Sequence, residues 1–280
     1  MQTGRSHLIG VIIGGLENPY YAAVLDRFAH ALQAAGQQIV LVRHDTGLAL
    51  DGILSKLAAY RVDAVLTAIP VRTEKAAQTL SGLRIPIVCF NAHVTADRVF
   101  SIKSGNYDAG KEAARLLYAR GARRFAFIGA PAIHAASAAR REGFKAALQE
   151  LGRTTPLERT AEDDYASGFS SAAELFSAPD RPDGLFCSND LMACGALDAM
   201  RLVHGISAPR DVLVAGYDNI PQAGWDGYAL TSFDQQADKM IEAALDLIAE
   251  CLAGTMNTVA PRMRVIPARL MERASTSAPV

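Results

Sequence analysis

Leu8-Ile9-Gly10-Val11-Ile12-Ile13 is the stretch on which the fold turns. It is too continuously apolar for a half-exposed strand, and reads as a strand covered on both faces, as in a parallel sheet. A polar break follows at Gly14 to Pro19. Beyond it Tyr21, Val24, Leu25, Phe28 and Leu32 recur at helical spacing, and Gly36 supplies the stop signal. Working outward, the unit repeats: strand Ile39 to Val42, a helix through Ile53 to Ala59, strand Ala64 to Ile69, another helix, strand Ile85 to Phe90. Strands alternating with helices imply βαβ units and a parallel sheet.

The same order then starts again. Phe125 to Ile128 reads as a strand, Ala139 to Leu151 as a helix ending at Gly152, and Gly168 to Phe176 as another helix. Strand Gly184 to Cys187, a helix from Leu191 to Val203 and strand Val212 to Gly216 follow. Three segment pairs align across the halves: His7 to Val11 with Arg124 to Ile128, Arg61 to Leu66 with Arg181 to Phe186, and Ile87 to Asn91 with Leu213 to Asp218. The expectation is an α/β protein with two doubly wound parallel-sheet lobes joined by hinge crossovers near Asn91 to Gly105, Asp234 and Pro261. A helix from Met240 to Leu252 and a strand from Met263 to Ile266 are too little for a third domain and complete the lobes. The expected division is 1–7 as linker, 8–104 with 235–260 as the first lobe, 105–234 with 261–274 as the second, and 275–280 as a fraying tail.

Composition narrows the functional classes. A formal net charge of −1 offers no basic footprint for nucleic acid. No apolar run approaches membrane-spanning length, and Met1 to His7 lacks the plan of a secretory signal. Cys89, Cys187, Cys194 and Cys251 have no metal-type clustering and read as reduced, buried thiols, which fits a cytoplasmic protein.

In open parallel sheets, ligands bind beyond the carboxyl ends of the strands. In the first half those ends carry Leu16, Asn18, Tyr20 and Tyr21, then Asp45, then Asn91; in the second they carry Arg140, Asp163 to Tyr165, Asn189 with Asp190, and Asp218 with Asn219. Amides, carboxylates, an arginine and aromatic rings suit a polyhydroxylated or heterocyclic ligand. Each also has a plain reading. Asn189 is placed to cap a helix, Asp218 to Pro221 to form a turn, and one of Tyr20 and Tyr21 to fill the core. Arg140 could be solvated, and Trp225 could pack its own loop. Catalytic signatures fail: Gly105 to Lys111 resembles a phosphate loop, but Glu112 stands where a hydroxyl is needed. Gly14-Gly15 does not complete a dinucleotide fingerprint, and the histidines form no metal-spaced pair. A ligand-binding protein without metal or cofactor is expected, not an enzyme.

The motifs resemble the effector-binding core of LacI/GalR bacterial transcription regulators, which share the type I periplasmic-binding-protein fold. The resemblance spans nearly the whole chain: Thr3 to Val11, Asn18-Pro19-Tyr20-Tyr21, Arg140-Arg141-Glu142-Gly143-Phe144, Cys187 to Leu197, Gly216 to Pro221 and Leu230 to Gln235. It implies effector contacts at Tyr20, Tyr21, Asn91, Arg140, Asn189, Asp218 and Gln235. The family's aromatic near Gly168 is displaced, with Tyr165 as the stand-in, and Ser104-Gly105-Asn106 lacks an aspartate of the family pattern. The resemblance further implies a homodimer, a small effector (a sugar, sugar derivative or nucleoside) held between the lobes, and operator binding through an N-terminal helix-turn-helix head that this sequence does not contain. A periplasmic solute-binding protein of a sugar transporter is the alternative on the same fold.

Overall fold

The computed structural model describes residues 5–44, 57, 59–68, 81–82, 85–91, 96–254 and 263–277. Asp45, most of the helix expected over Ile53 to Ala59, the helix after Ile69 and the crossover at Pro261 lie outside them. The chain divides into two compact units, 1–104 with 236–266 and 105–235 with 267–280.

In the first unit, β1 (Leu8–Ile13), β2 (Gln38–Arg43), β3 (Ala64–Thr67), β4 (Ile87–Phe90), β5 (Val99–Ser104) and β11 (Met263–Ile266) form one sheet in the order β11-β5-β4-β3-β1-β2. Every pairing in it is parallel. Helix α1 (Pro19–Ala34) begins where Asn18 Oδ1 accepts from Tyr20 N at 2.9 Å, with Pro19 at its first position. It buries Tyr20, Val24, Phe28 and Leu32, and the Phe28 ring meets Phe90 edge-on at 5.5 Å. Helix α6 (Ala237–Ala253) packs beside α1 and against β4 and β5. The opposite face gathers Ile12, Val65, Ile87 and Cys89 around the buried Leu57.

The second unit has β6 (Phe125–Gly129), β7 (Leu157–Thr160), β8 (Gly184–Cys187) and β9 (Leu213–Ala215) in the order β7-β6-β8-β9, again all parallel. A short antiparallel pair, β10 (Ser232–Asp234) with β12 (Arg269–Met271), stands beside it. Helices α2 (Asn106–Ala119) and α3 (Ala135–Glu150) cover the face that carries Phe125, Phe127 and Phe186. Helices α4 (Tyr165–Leu175) and α5 (Asp190–His204) cover the other face, to which the pleat turns Ala126, Ile128, Leu185 and Cys187. Both helix pairs approach through glycines. A Cβ on Gly143 would fall on the Tyr107 carbonyl and one on Gly110 on that of Arg140; a Cβ on Gly195 would fall on the Tyr165 carbonyl and one on Gly168 on Met192.

The three matched segment pairs fall on equivalent strands: β1 with β6, β3 with β8, and β4 with β9. One device is repeated as well. Asp63, ahead of β3, accepts from Ser6 N at 3.0 Å and His7 N at 2.8 Å. Asp183, ahead of β8, accepts from Arg123 N and Arg124 N, each at 2.7 Å. In each unit a carboxylate ties the start of the first strand to the start of the third, at the end of the 2-1-3-4 sheet opposite its switch-point crevice.

Several expectations need correcting. Within the stretch expected as a crossover at Asn91 to Gly105, Val99–Ser104 is the buried strand β5, which continues the first sheet, and the chain passes to the second unit after Ser104. The strand at 263–266 pairs with β5 and belongs to the first unit, and Gln235 belongs to the second. Ser6 and His7 are bonded to Asp63 and so are part of the first unit rather than free linker. The expected tail is anchored where it is described: Ser275 and Thr276 are buried, and Ser275 Oγ donates to the Val214 carbonyl at 2.6 Å. These features escape a periodicity reading because short strands and single hydroxyl anchors leave no repeating signal.

Candidate functional site

The carboxyl ends of the second sheet carry a buried polar system. Arg140, on the second turn of α3, is 5% exposed. Its Nε donates to Asn106 Oδ1 at 2.8 Å, one terminal nitrogen donates to the Ser188 carbonyl, and its guanidinium lies 3.5 Å over the centre of the Tyr217 ring. Tyr217 is itself fully buried and stacked on Phe233. The solvated alternative for this arginine is therefore excluded: a buried cation is held by charge-assisted hydrogen bonds and a π face.

Three residues beyond β9, Asp218 adopts φ 111° and accepts from Gln235 Nε2 at 2.6 Å; both side chains are buried. Asn189 caps α5, accepting from Met192 N at 2.8 Å, while its Nδ2 donates to the Asp163 carbonyl and carboxylate at 3.1 and 3.2 Å. Capping is thus present, and the same amide tethers the loop after β7. Asp190 is wholly buried: Ser232 Oγ donates to both its oxygens and Ile220 N donates to Oδ2 at 2.9 Å. Burial, then the neighbouring Asp218 charge, raises its carboxyl well above the ordinary range near 3.8. Ser188 Oγ, equally buried, has no hydrogen-bond partner among the described residues.

In the first unit Leu16 occupies the turn after β1, half-buried. Asn18 caps α1, Tyr20 is buried, and half-buried Tyr21 meets its ring edge-on at 5.3 Å. Asn91, at φ 58°, accepts from Ser104 N at 3.2 Å. Tyr165 is not gathered with the strand ends. Its hydroxyl donates to Asp198 Oδ2 at 2.6 Å, and Tyr228 OH donates to the same oxygen at 3.0 Å. Asp198 lies eight residues along α5, about 12 Å from the helix start. The Tyr165 hydroxyl is thus engaged by α5, while Asn189 is bonded to Asp163. Trp225 packs on its own loop, stacking on Tyr228 while 57% exposed.

Sequence reading left Asn106 out of the site, although it lies in the Ser104-Gly105-Asn106 stretch set against the family pattern, and missed the part played by Ser232. Burial pushes the Cys89 and Cys194 thiols up to about 12 and Cys187 well above its ordinary value, which disfavours the reactive thiolate, whereas Cys251, expected to be buried, is only partly so. Among the described residues no His, Cys, Asp or Glu cluster could hold a metal, and no helix is long and apolar enough to cross a membrane.

A model of the periplasmic binding protein-like domain matches residues 114–276, more than half of the chain. The chain belongs to the periplasmic binding protein-like family. It is 29% identical to the HTH-type transcriptional repressor PurR of Edwardsiella ictaluri (strain 93-146), an alignment covering 99% of this chain and 82% of that protein. The transcriptional regulator CelR, solved as a complex with cellobiose, superposes with a TM-score of 0.85 at 27% identity, covering 97% of this chain and 85% of that one. A LacI-family regulator from Enterococcus faecium with bound ribose shares the fold at a TM-score of 0.86 and 21% identity, over 98% of this chain and 100% of that one. These relatives are transcription regulators, which sets the regulator reading ahead of the transporter one.

Proposed function

We propose that this periplasmic binding protein-like chain senses a small effector at the carboxyl ends of its strands and performs no chemistry on it. The observation that carries the reading is the buried polar system of Arg140, Asn106, Asp218 and Gln235 beside the strand ends of the second unit. Burying such groups costs free energy unless they are fully bonded, and strand ends are where an open α/β sheet presents ligand-reading groups. Asn189 and, from the first unit, Leu16, Asn18, Tyr20, Tyr21 and Asn91 complete the proposed set. Tyr20 supports its neighbour from within the core.

The effector acts by shifting a two-state equilibrium, and it can shift it only by its differential affinity for the two states. In this reading the core works as a cytoplasmic homodimer, and operator DNA is read by a helix-turn-helix head outside this sequence. Thermal unfolding against sugars, sugar acids, polyols and purines tests it. A ligand at one hundred times its Kd adds about 2.7 kcal/mol, a shift of several degrees for a chain of this size. Arg140→Ala or Asp218→Ala should abolish the response; a response that survives both variants would place the effector elsewhere. A monomer by sedimentation at micromolar concentration would remove the dimer from the scheme.

A further inference from the structure

The turn that carries Asp218 is held by a residue from a distant part of the second unit. Asp218 and Asn219 both have positive φ, 111° and 53°. The second value is the left-handed well that asparagine tolerates; the first lies outside it, where an L side chain is strained. Such backbone persists only when its surroundings over-determine it. Here three successive N–H groups are fixed. Asp218 N donates to the Phe233 carbonyl at 2.9 Å, Asn219 N to Ser232 Oγ at 3.0 Å and Ile220 N to Asp190 Oδ2 at 2.9 Å. The side chain of Asn219 is held as well. Its Nδ2 donates to Asp234 Oδ2 at 3.3 Å, and its Oδ1 accepts from a terminal nitrogen of Arg273, 54 residues along the chain, at 2.6 Å.

Arg273 follows β12 and is itself anchored. Its N–H donates to Thr231 Oγ1 at 2.8 Å, and its other terminal nitrogen donates to the Leu230 carbonyl at 2.7 Å. Two residues on, Ser275 N donates to the Ala229 carbonyl at 3.0 Å, and Ser275 Oγ accepts from Thr231 N at 2.8 Å. The segment is thus sewn along Ala229 to Thr231, with its guanidinium aimed back at the turn. Bonds from a guanidinium are charge-assisted and stronger than neutral ones. A staple for the strand would need only the Leu230 bond; the bond to Asn219 secures the turn. If Asn219 relaxed toward an ordinary φ, the peptide joining it to Asp218 would rotate and carry the Asp218 carboxylate away from Gln235 Nε2.

Resting on the effector-sensor reading, we propose that Arg273 is a positioning residue for effector binding: through Asn219 it holds the strained turn Asp218–Ile220 in the geometry that presents the Asp218 carboxylate. Arg273 does not touch the effector. It acts by keeping the turn pre-organised, so that binding does not have to order it.

The test pairs amide hydrogen exchange with calorimetric titration, both on the full chain. The titrants are D-galactose, D-gluconate, D-mannitol and hypoxanthine, one for each class in the thermal-shift panel. Arg273→Ala should speed exchange of the Asn219 and Ile220 amides roughly tenfold or more, with the amides of β6 and β8 within about twofold of the parent. It should weaken the Kd of the bound titrant about fivefold or more. Arg273→Lys, which can serve Leu230 or Asn219 but not both, should fall between. A double-mutant cycle separates positioning from folding. Glycine takes φ 53° without strain and offers no amide to Arg273. In the Asn219→Gly background Arg273→Ala should therefore change Kd by less than about twofold, while still lowering the melting temperature through the lost Leu230 bond. Exchange at Asn219 and Ile220 that Arg273→Ala leaves unchanged overturns the proposal. So does a loss of affinity that is undiminished in the Asn219→Gly background. Asp218→Ala separates the two levels. A titrant whose binding is lost with Asp218→Ala but insensitive to Arg273→Ala leaves the effector site standing and removes the positioning role. If no titrant binds, or binding survives Asp218→Ala, the sensor reading fails and the positioning role falls with it.

Discussion

The two units wind four strands in the same 2-1-3-4 order, yet they bury different chemistry at the strand ends. In the first unit the buried polar residues among those described are Thr67, Ser101 and Ser104. In the second they include Asn106, Arg140, Asn189, Asp190, Asp218 and Gln235. Asn91 and Asp218 make the contrast concrete. Both follow the fourth strand of their sheet, and both take a left-handed φ. Their N–H groups donate to Ile102 and Phe233 carbonyls at 2.7 and 2.9 Å, both on the next strand. Asn91 then accepts a backbone N–H, whereas Asp218 accepts a buried side-chain amide. The same frame closes a sheet in one unit and holds a charged floor in the other. Topology sets where a site can lie; the strand-end residues decide what it does.

The largest test of this contrast is Arg140→Leu. Losing two charge-assisted hydrogen bonds and the Tyr217 contact should cost about 3–5 kcal/mol in urea unfolding. Asn91→Ala in the first unit should cost only about 1 kcal/mol. Equal losses would mean that the two strand ends are energetically alike. Next comes Gly143→Ala, which sets a Cβ against the Tyr107 carbonyl and should cost about 2–3 kcal/mol through forced separation of α2 and α3. A melting temperature unchanged from the parent would show that this helix pair yields easily.

Asp190→Asn gives a subtler signature. Because the carboxyl is raised in the folded chain, the fold keeps a proton that the unfolded chain releases above its ordinary value near 3.8. Stability therefore declines as pH rises from that value toward the raised one. The variant should flatten this decline in denaturation curves from about pH 4 upward; an unchanged slope would assign the decline to other groups. The smallest expected effect falls on the repeated device. Asp63→Ala and Asp183→Ala should each cost about 1–2 kcal/mol, and a clear inequality would show that the two ties are not equivalent.

Much of this was legible before folding. Leu8 to Ile13 and Gly184 to Cys187 are strands with the bounds that their apolar runs suggested, because a strand buried on both faces must be apolar throughout. Arg140, Asn189, Asp218 and Gln235 were identifiable as strand-end or motif residues. Partners were not legible. Asn106 is 34 residues from the arginine it serves, Ser232 is 42 from Asp190, and Ser275 is 61 from Val214. The partner of Tyr165 was not legible either, since its place near a strand end said nothing of the Asp198 carboxylate on α5 that accepts its hydroxyl.

The sequence by itself determined the alternation of buried strands and amphipathic helices, the tandem repeat and the residue types at the strand ends, since periodicity and turn chemistry are local properties of the chain. Tertiary structure alone decided that 263–266 would join the first sheet, that Arg140 would lie over Tyr217, and that Arg273 would reach Asn219. Those outcomes depend on which distant groups can satisfy a buried charge or an unpaired strand edge, and only the folded chain brings them together.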